Sequence, residues 1–245
     1  MESAHVPATL GLVIPTLNEA DNIEPLLTRV SAALDSSDVS YEILVVDDGS
    51  CDGTPEVVRK FAMSDPRVRL LERRGQRGLA GAVAHGWKYS RAELLAVMDA
   101  DLQHPPELLP VLVSAIGVGH DIVIGSRYAN GNGVSGWNPL RLAISRVLTW
   151  ITLPFQRDHL QVTDPMSGFF VVRRRCIEGV DLQPEGFKIL FEILVRGRVR
   201  SALEVPFQFG TRQAGKSKAD VKVAFHYLAL LGRLSRDLFL RPEPQ

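Results

Sequence analysis

The chain has 245 residues, 45% hydrophobic and 23% charged, a balance that supports a substantial core and excludes a disordered or fibrous protein. Its formal net charge is zero, yet residues 1–120 hold 10 Lys+Arg against 17 Asp+Glu, and residues 121–245 hold 18 against 11. An acidic half joined to a basic half reads as a site where cations and anions are handled together, or as two solvated faces of opposite sign.

Residues 10–14 are a short apolar run ended by Pro15, which predicts a buried strand. Asn18 to Asp21 offer caps for a helix running to about residue 34. Residues 41–46 form a second buried strand, stopped by Asp47-Asp48-Gly49-Ser50. A helix is expected next, with Thr54 as its cap and Pro55 in its first position. A strand at 68–71, a helix at 78–89 and a strand at 93–98 follow, the last running straight into Asp99. This alternation predicts an α/β fold with a mostly parallel sheet and helices on both faces. Ligands in such folds bind beyond the carboxyl ends of the strands, where Pro15, Asp47 and Asp99 collect.

In the second half, strands are expected at 121–125, 169–172 and 204–209. A glycine-rich loop falls at 131–136, and helices at 140–155 (an amphipathic stretch of about 138–157) and 220–241. No repeat or low-complexity linker divides the chain, so residues 1–219 read as one catalytic domain and 220–245 as an amphipathic appendage. Two cysteines, Cys51 and Cys176, are too few for a disulfide framework and fit a reducing compartment. Residues 1–8 lack the basic start and apolar run of a signal peptide. No stretch reaches the roughly 18–20 uninterrupted apolar residues of a spanning helix. A cytoplasmic protein, or one held on a membrane without crossing it, is expected.

The strongest local signal is Met98-Asp99-Ala100-Asp101-Leu102-Gln103-His104-Pro105-Pro106. Two carboxylates one residue apart at a strand end can face one ligand, and hard oxygen donors of this kind suit Mg2+ or Mn2+ completed by substrate phosphates. Alone, Asp-x-Asp also describes a turn or a cap; its place after a buried strand favours the metal. Asp47-Asp48-Gly49-Ser50 reads as a polar turn or as a carboxylate accepting hydrogen bonds from a nucleobase or ribose, and Pro15-Thr16-Leu17-Asn18-Glu19 admits the same pair of readings.

Two further patterns point elsewhere. Gly210-Thr211-Arg212-Gln213-Ala214-Gly215-Lys216-Ser217 matches a phosphate loop, but the strand that should carry a second metal-binding Asp has no room after it. Lys216 and Lys218 remain suited to grip a phosphate. Gly131-Asn132-Gly133-Val134-Ser135-Gly136 matches a dinucleotide fingerprint but follows several strand–helix units instead of opening the first, which favours a loop over an NAD site. The six histidines show no metal-ligand spacing and no Gly-x-Ser-x-Gly occurs, so zinc-enzyme and hydrolase readings lack support. Residues 140–155 set Arg141 and Arg146 among apolar side chains, and the last helix does the same with Lys222, Arg233 and Arg236. Each suits a membrane interface, the core or a second subunit.

Taken in order, several segments resemble the dolichyl-phosphate (polyprenyl-phosphate) mannosyltransferase group of glycosyltransferase family 2, over about residues 9–220. They are Pro15 to Glu19, Val46 to Ser50, Arg77-Gly78-Leu79, Met98 to Pro106, Gly125-Ser126-Arg127-Tyr128, Thr163 to Phe170 and Phe209 to Lys218. The resemblance implies a GT-A fold and inverting transfer of mannose from GDP-mannose to a polyisoprenyl phosphate. It implies that Pro15, Glu19, Val46 and Asp48 hold the guanosine, and that Asp99, Ala100, Asp101 and Gln103 form the metal and diphosphate site. Arg127, Arg141 and Ser145 match positions for the acceptor phosphate, and Arg212 and Lys218 a loop that closes over the donor. Asp99, Asp101 and Arg127 are the implied catalytic set. The segment from Asp164 to Phe170 matches one beside the sugar site, without a role that the sequence assigns.

Leu17 stands where an aromatic residue is usual in this group. Some members continue into a pair of membrane helices. This chain would reach the lipid as a peripheral protein on the cytoplasmic face, through interfacial helices, a second copy or a membrane-anchoring subunit. Nucleic acid is not an expected partner. Two other readings stand beside this one: a UDP-glucose-dependent polyprenyl-phosphate glucosyltransferase, and a non-catalytic subunit that binds a nucleotide-sugar or lipid phosphate. The intact Asp99/Asp101 pair argues against the second.

Overall fold

Short apolar runs make the strands, and the residues that end them turn the chain at one rim. In a computed structural model, residues 8–129, 151–156, 160, 162–183, 189–208 and 210 are described. Their strands are β1 (Leu10–Thr16), β2 (Tyr41–Asp47), β3 (Val68–Glu72), β4 (Leu94–Val97), β5 (Ile122–Ser126), β6 (Phe170–Arg173) and β7 (Ala202–Pro206). They form one sheet in the order β3-β2-β1-β4-β6-β5-β7. The pairs β3/β2, β2/β1, β1/β4 and β5/β7 are parallel, while β6 runs antiparallel to both of its neighbours. The carboxyl ends of β1, β2, β4, β5 and β7 therefore share one edge with the amino end of β6.

Helices cover both faces: α1 (Ala20–Asp35), α2 (Thr54–Ser64), α3 (Leu79–Tyr89), α4 (Leu109–Gly117) and α5 (Ile189–Arg196). Successive strand residues point to opposite faces. Leu12, Ile14, Ile43 and Val45 pack with Ile23, Leu26, Val58, Leu112 and Ile116, from α1, α2 and α4. Val13, Leu44 and Val46 pack with Val83 and Trp87 of α3 and Ile193 and Leu194 of α5. Burial on both faces is why β1 and β2 read as continuous apolar runs and not as alternations. Each fully buried side chain of this kind contributes about 1.5–3 kcal/mol.

The expected α/β architecture is present, with differences in detail. The first residue of α2 is Thr54, not its cap; Gly53 takes the cap position at φ +95°. The capping chemistry comes from Asp52, whose carboxylate accepts the Thr54 N–H and hydroxyl. The strand expected at 204–209 ends at Pro206, and Phe207 turns in to pack on Phe169 and His104. Helices α4 and α5 occupy stretches for which the sequence predicted no element. Of the helix expected at 140–155, only 151–155 are described, ending in a 3-10 turn at Leu153–Phe155. The loop expected at 131–136, Arg141, Ser145, Arg212, Lys216, Lys218 and the helix expected at 220–241 lie outside the described residues. Among the described residues, no helix is long and apolar enough to cross a membrane.

Candidate active site

The acidic turn after β2 divides its work between two carboxylates. Asp47 Oδ1 accepts the backbone N–H groups of Gly49 and Ser50 at 3.0 and 2.8 Å, and Oδ2 accepts the Thr16 hydroxyl at 3.0 Å. Asp47 is thus a structural turn residue. The Asp48 side chain is directed to Arg73, 3.1 Å away, and accepts the Gly78 N–H at 2.8 Å. Burial raises the Asp48 pKa, while the Gly78 N–H and the Arg73 charge work against that rise. Asp48 sits at the rim as a buried carboxylate held in place by Arg73, a partner the sequence reading did not single out.

The loop after β1 is tied to the same turn. Asn18 adopts φ +55°, its backbone N–H donates to Ser50 Oγ, and its side-chain oxygen accepts the Cys51 N–H. Glu19 donates its N–H to the Thr54 hydroxyl, and its carboxylate accepts Asn22 Nδ2. Pro15 and Val46 are register partners, so the structure brings Pro15, Glu19, Val46 and Asp48 to one stretch of rim. Val46 has its side chain in the core at 0% exposure, which leaves it only its main chain to offer a ligand.

After β4 the chain turns sharply, with Leu102 at φ +60° and the Gln103 N–H donated to Asp101 Oδ1 at 3.2 Å. His104 is buried between Phe169 and Phe207, with ring centroids at 5.2 and 5.6 Å. Burial pushes its pKa down to about 4, so the ring is neutral and its Nδ1 accepts the Asp99 N–H at 3.4 Å. His104 braces the turn from beneath. Gly168 braces it from the side, its bare Cα facing the Asp99 carboxylate where a Cβ would fit at only 2.7 Å from Oδ2. Gln103 is engaged with Gly210: its Nε2 donates to the Gly210 carbonyl at 3.0 Å, and the Gly210 N–H donates to the Gln103 carbonyl at 2.9 Å.

Among the described residues, no group of three or more His, Cys, Asp or Glu side chains is placed to cage a metal ion. The turn instead offers two carboxylates, one of them seated against a glycine. That donor set suits a hard divalent cation whose other ligands are phosphate oxygens and water.

Arg127 follows β5 at the same edge. Asp164, fully buried, accepts its backbone N–H and Nε at 3.0 and 2.8 Å on Oδ2, and its Nη2 at 2.6 Å on Oδ1. Burial alone would lower the guanidinium pKa; the bonds to Asp164 override it and raise it, with Asp99 adding to the effect. Two surface depressions among the described residues, of about 790 and 420 Å3, open elsewhere, one lined by Tyr41, Arg67 and Arg91 and the other by Asp121, Arg198 and Arg200. These residues lie at the amino ends of the strands, across the sheet from the acidic rim.

A family model described as Glycosyl transferase family 2 matches residues 12–180. The dolichol-phosphate mannosyltransferase of Pyrococcus furiosus is 44% identical over 230 residues, which are 93% of this chain. The chain spans 64% of the length of that relative. The dolichol-phosphate mannosyltransferase of Mycosarcoma maydis is 39% identical over 237 residues, covering 94% of this chain and 80% of the relative. Among solved structures, glucosyl-3-phosphoglycerate synthase from Mycobacterium tuberculosis, in complex with Mn2+, UDP-glucose and phosphoglyceric acid, matches with a TM-score of 0.67 at 19% identity. The match covers 92% of this chain and 80% of that one. At that identity the likeness speaks to the fold alone, and it bears out the expected GT-A architecture.

Proposed function

The chain belongs to glycosyl transferase family 2, and from that premise we propose that it transfers mannose, with inversion, from GDP-mannose to a polyisoprenyl phosphate at a membrane surface. The observation that carries the reading is the meeting of the Asp99/Asp101 turn and the Arg127–Asp164 pair at one sheet edge. The activity named for the two relatives supports the choice of sugar and acceptor.

On this reading Asp99 and Asp101 hold Mg2+ or Mn2+, with Gln103 as a third candidate ligand and Ala100 lining the diphosphate. When bound, the cation neutralises charge on the departing diphosphate. Pro15, Glu19, Asp48 and the main chain of Val46 receive the nucleoside. Arg212 and Lys218 close over the donor. Arg127, Arg141 and Ser145 grip the acceptor phosphate, Arg127 bringing its charge to the site while Asp164 holds its Nε and Nη2.

A phosphomonoester has a second pKa of about 6 and is largely dianionic at neutral pH, so it attacks the anomeric carbon without a strong general base. The protein's work is positioning and charge stabilisation. His104, enclosed between Phe169 and Phe207, braces the Asp99 turn. The acidic half binds the donor and cation, and the basic half binds the anionic acceptor. Residues 1–219 act as the catalytic domain, and the amphipathic stretch at about 138–157, the segment 220–245 or both attach it to the cytoplasmic face of a membrane. A second copy or an anchoring subunit shares that task.

The test is transfer of labelled sugar to a short polyprenyl phosphate in vesicles, with GDP-mannose and UDP-glucose compared, each with and without Mn2+. Lipid-borne label from GDP-mannose, dependent on Mn2+, is expected. Label from UDP-glucose alone would overturn the donor, and label without a cation would overturn the Asp99/Asp101 assignment.

A further inference from the structure

We propose that Glu204 is a positioning residue for the transfer, acting through Thr163 and Asp164 to set the guanidinium plane of Arg127. The proposal rests on the reading that Arg127 grips the acceptor phosphate. Glu204 lies in β7 and registers with Ile124 of β5, the strand that leads into Arg127. Its Oε1 accepts the Asp164 N–H at 2.9 Å, its Oε2 accepts the Thr163 N–H at 2.8 Å, and the Thr163 hydroxyl reaches both oxygens at 3.0 and 2.9 Å.

Thr163 and Asp164 belong to no strand, so no sheet ladder supplies acceptors for these two adjacent N–H groups. Glu204 supplies them from a side chain. Asp164 in turn uses both carboxylate oxygens on Arg127, whose planar fork can meet them in one orientation. A chain of charge-assisted bonds thus runs from the β7 strand to the guanidinium, with Asp164 fully buried in the middle. Tilting the 163–164 peptide moves the Asp164 carboxylate and the fork together. Glu204 touches no substrate on this account; it fixes the residue that does.

Both Glu204 oxygens accept backbone N–H groups, so Glu204→Gln sets an amide donor against one of them. We expect the variant to raise the KM for the polyprenyl phosphate about tenfold, the worth of one good hydrogen bond to a charged group. The donor KM should stay within about twofold, because the nucleoside rim is stitched by separate bonds. KM does not depend on the fraction of active enzyme, so partial misfolding cannot imitate this split. Thr163→Val, which keeps both backbone bonds, should shift the same constant in the same direction by less. In an Asp164→Asn background, Glu204→Gln should add little, since the chain is already cut.

Acceptor and donor constants rising together, or effects of Glu204→Gln and Asp164→Asn that multiply, would overturn the proposal and leave Glu204 a stabilising residue. Arg127→Lys, which keeps the charge and loses the fork, separates the two levels. If Arg127→Lys raises the acceptor KM and Glu204→Gln does not, the positioning role of Glu204 falls and the Arg127 assignment stands. If neither variant moves the acceptor KM, the Arg127 assignment falls and takes the proposal with it.

Discussion

The Asp99 carboxylate packs on Gly168, so that a Cβ added there would stand 3.0 Å from Cγ as well as 2.7 Å from Oδ2. The 2.7 Å approach to Oδ2 is closer than real contacts, and the 3.0 Å one is tighter than most. Gly168→Ala must therefore push Asp99 away from its place in the turn. Displacing a reacting group by about 1 Å can slow a reaction about a hundredfold. The variant should fold, transfer 10–100-fold more slowly (about the same scale) and need more Mn2+ for half-maximal rate. A Mn2+ titration of initial rates checks this, and a wild-type midpoint would break the link between Gly168 and the cation.

Asp101→Ala removes one of the two carboxylates while leaving the strands around it intact. Loss of a preorganised group that stabilises developing charge costs about 10²–10³ in rate. Transfer should fall by at least that factor, with a near-normal unfolding temperature. Treatment of the wild type with a chelator should give the same loss, reversed by added Mn2+. Near-normal turnover in the variant would refute the metal assignment.

Arg127 and Asp164 are both largely buried, at 13% and 0% side-chain exposure. Breaking such a pair leaves a lone buried charge, a cost of about 3–5 kcal/mol. Arg127→Met should lower stability on that scale, and Arg127→Met/Asp164→Leu should be the more stable of the two variants. Urea unfolding of the three proteins gives the comparison. A double variant no better than the single would show that the Asp164 charge is solvated after all.

At the far edge of the sheet, Arg67 bridges Asp35 and Asp65 and lies 4.4 Å over the Tyr41 ring. Its bonds hold both carboxyls below the ordinary carboxylate range. For a depressed carboxyl the unfolded chain binds protons first on acidification. The stabilisation is therefore complete above about pH 4, the unfolded value, and fades as pH falls below it. Arg67→Gln should lower the stability plateau near neutrality, make the acid limb of a stability–pH profile shallower and converge with the wild type at low pH. An unchanged acid limb would place the sensitivity elsewhere.

The rim residues after the apolar runs of β1, β2 and β4 were legible because a run stopping at Pro15, Asp47 or Asp99 is a local pattern, although β1 runs through Pro15 to Thr16, β2 includes Asp47 and β4 stops two residues before Asp99. The place of β6 between β4 and β5 was not. It depends on Phe170 pairing with both Val97 and Ile124, contacts that no sequence window contains. Helix α5 was missed because it lacks a polar face: Ile189 to Val195 are all buried, Glu192 included, so no helical period shows. Helix α4 carries the helical spacing Leu109, Leu112, Val113, Ile116, masked by Pro105, Pro106 and Pro110 around its start. The motif holding Asp164 was visible, but its role was not, because Arg127 lies 37 residues away in the chain.

The paired bonds between Gln103 and Gly210 have a consequence for how relatives diverge. On the Gly210 side both bonds are made by main chain, and a Cβ there would meet Leu102 and Gln103 oxygens at an ordinary 3.4 Å. Drift at position 210 therefore leaves the fastening intact, whereas lengthening or shortening the stretch from Phe207 to Gly210 would unhook it.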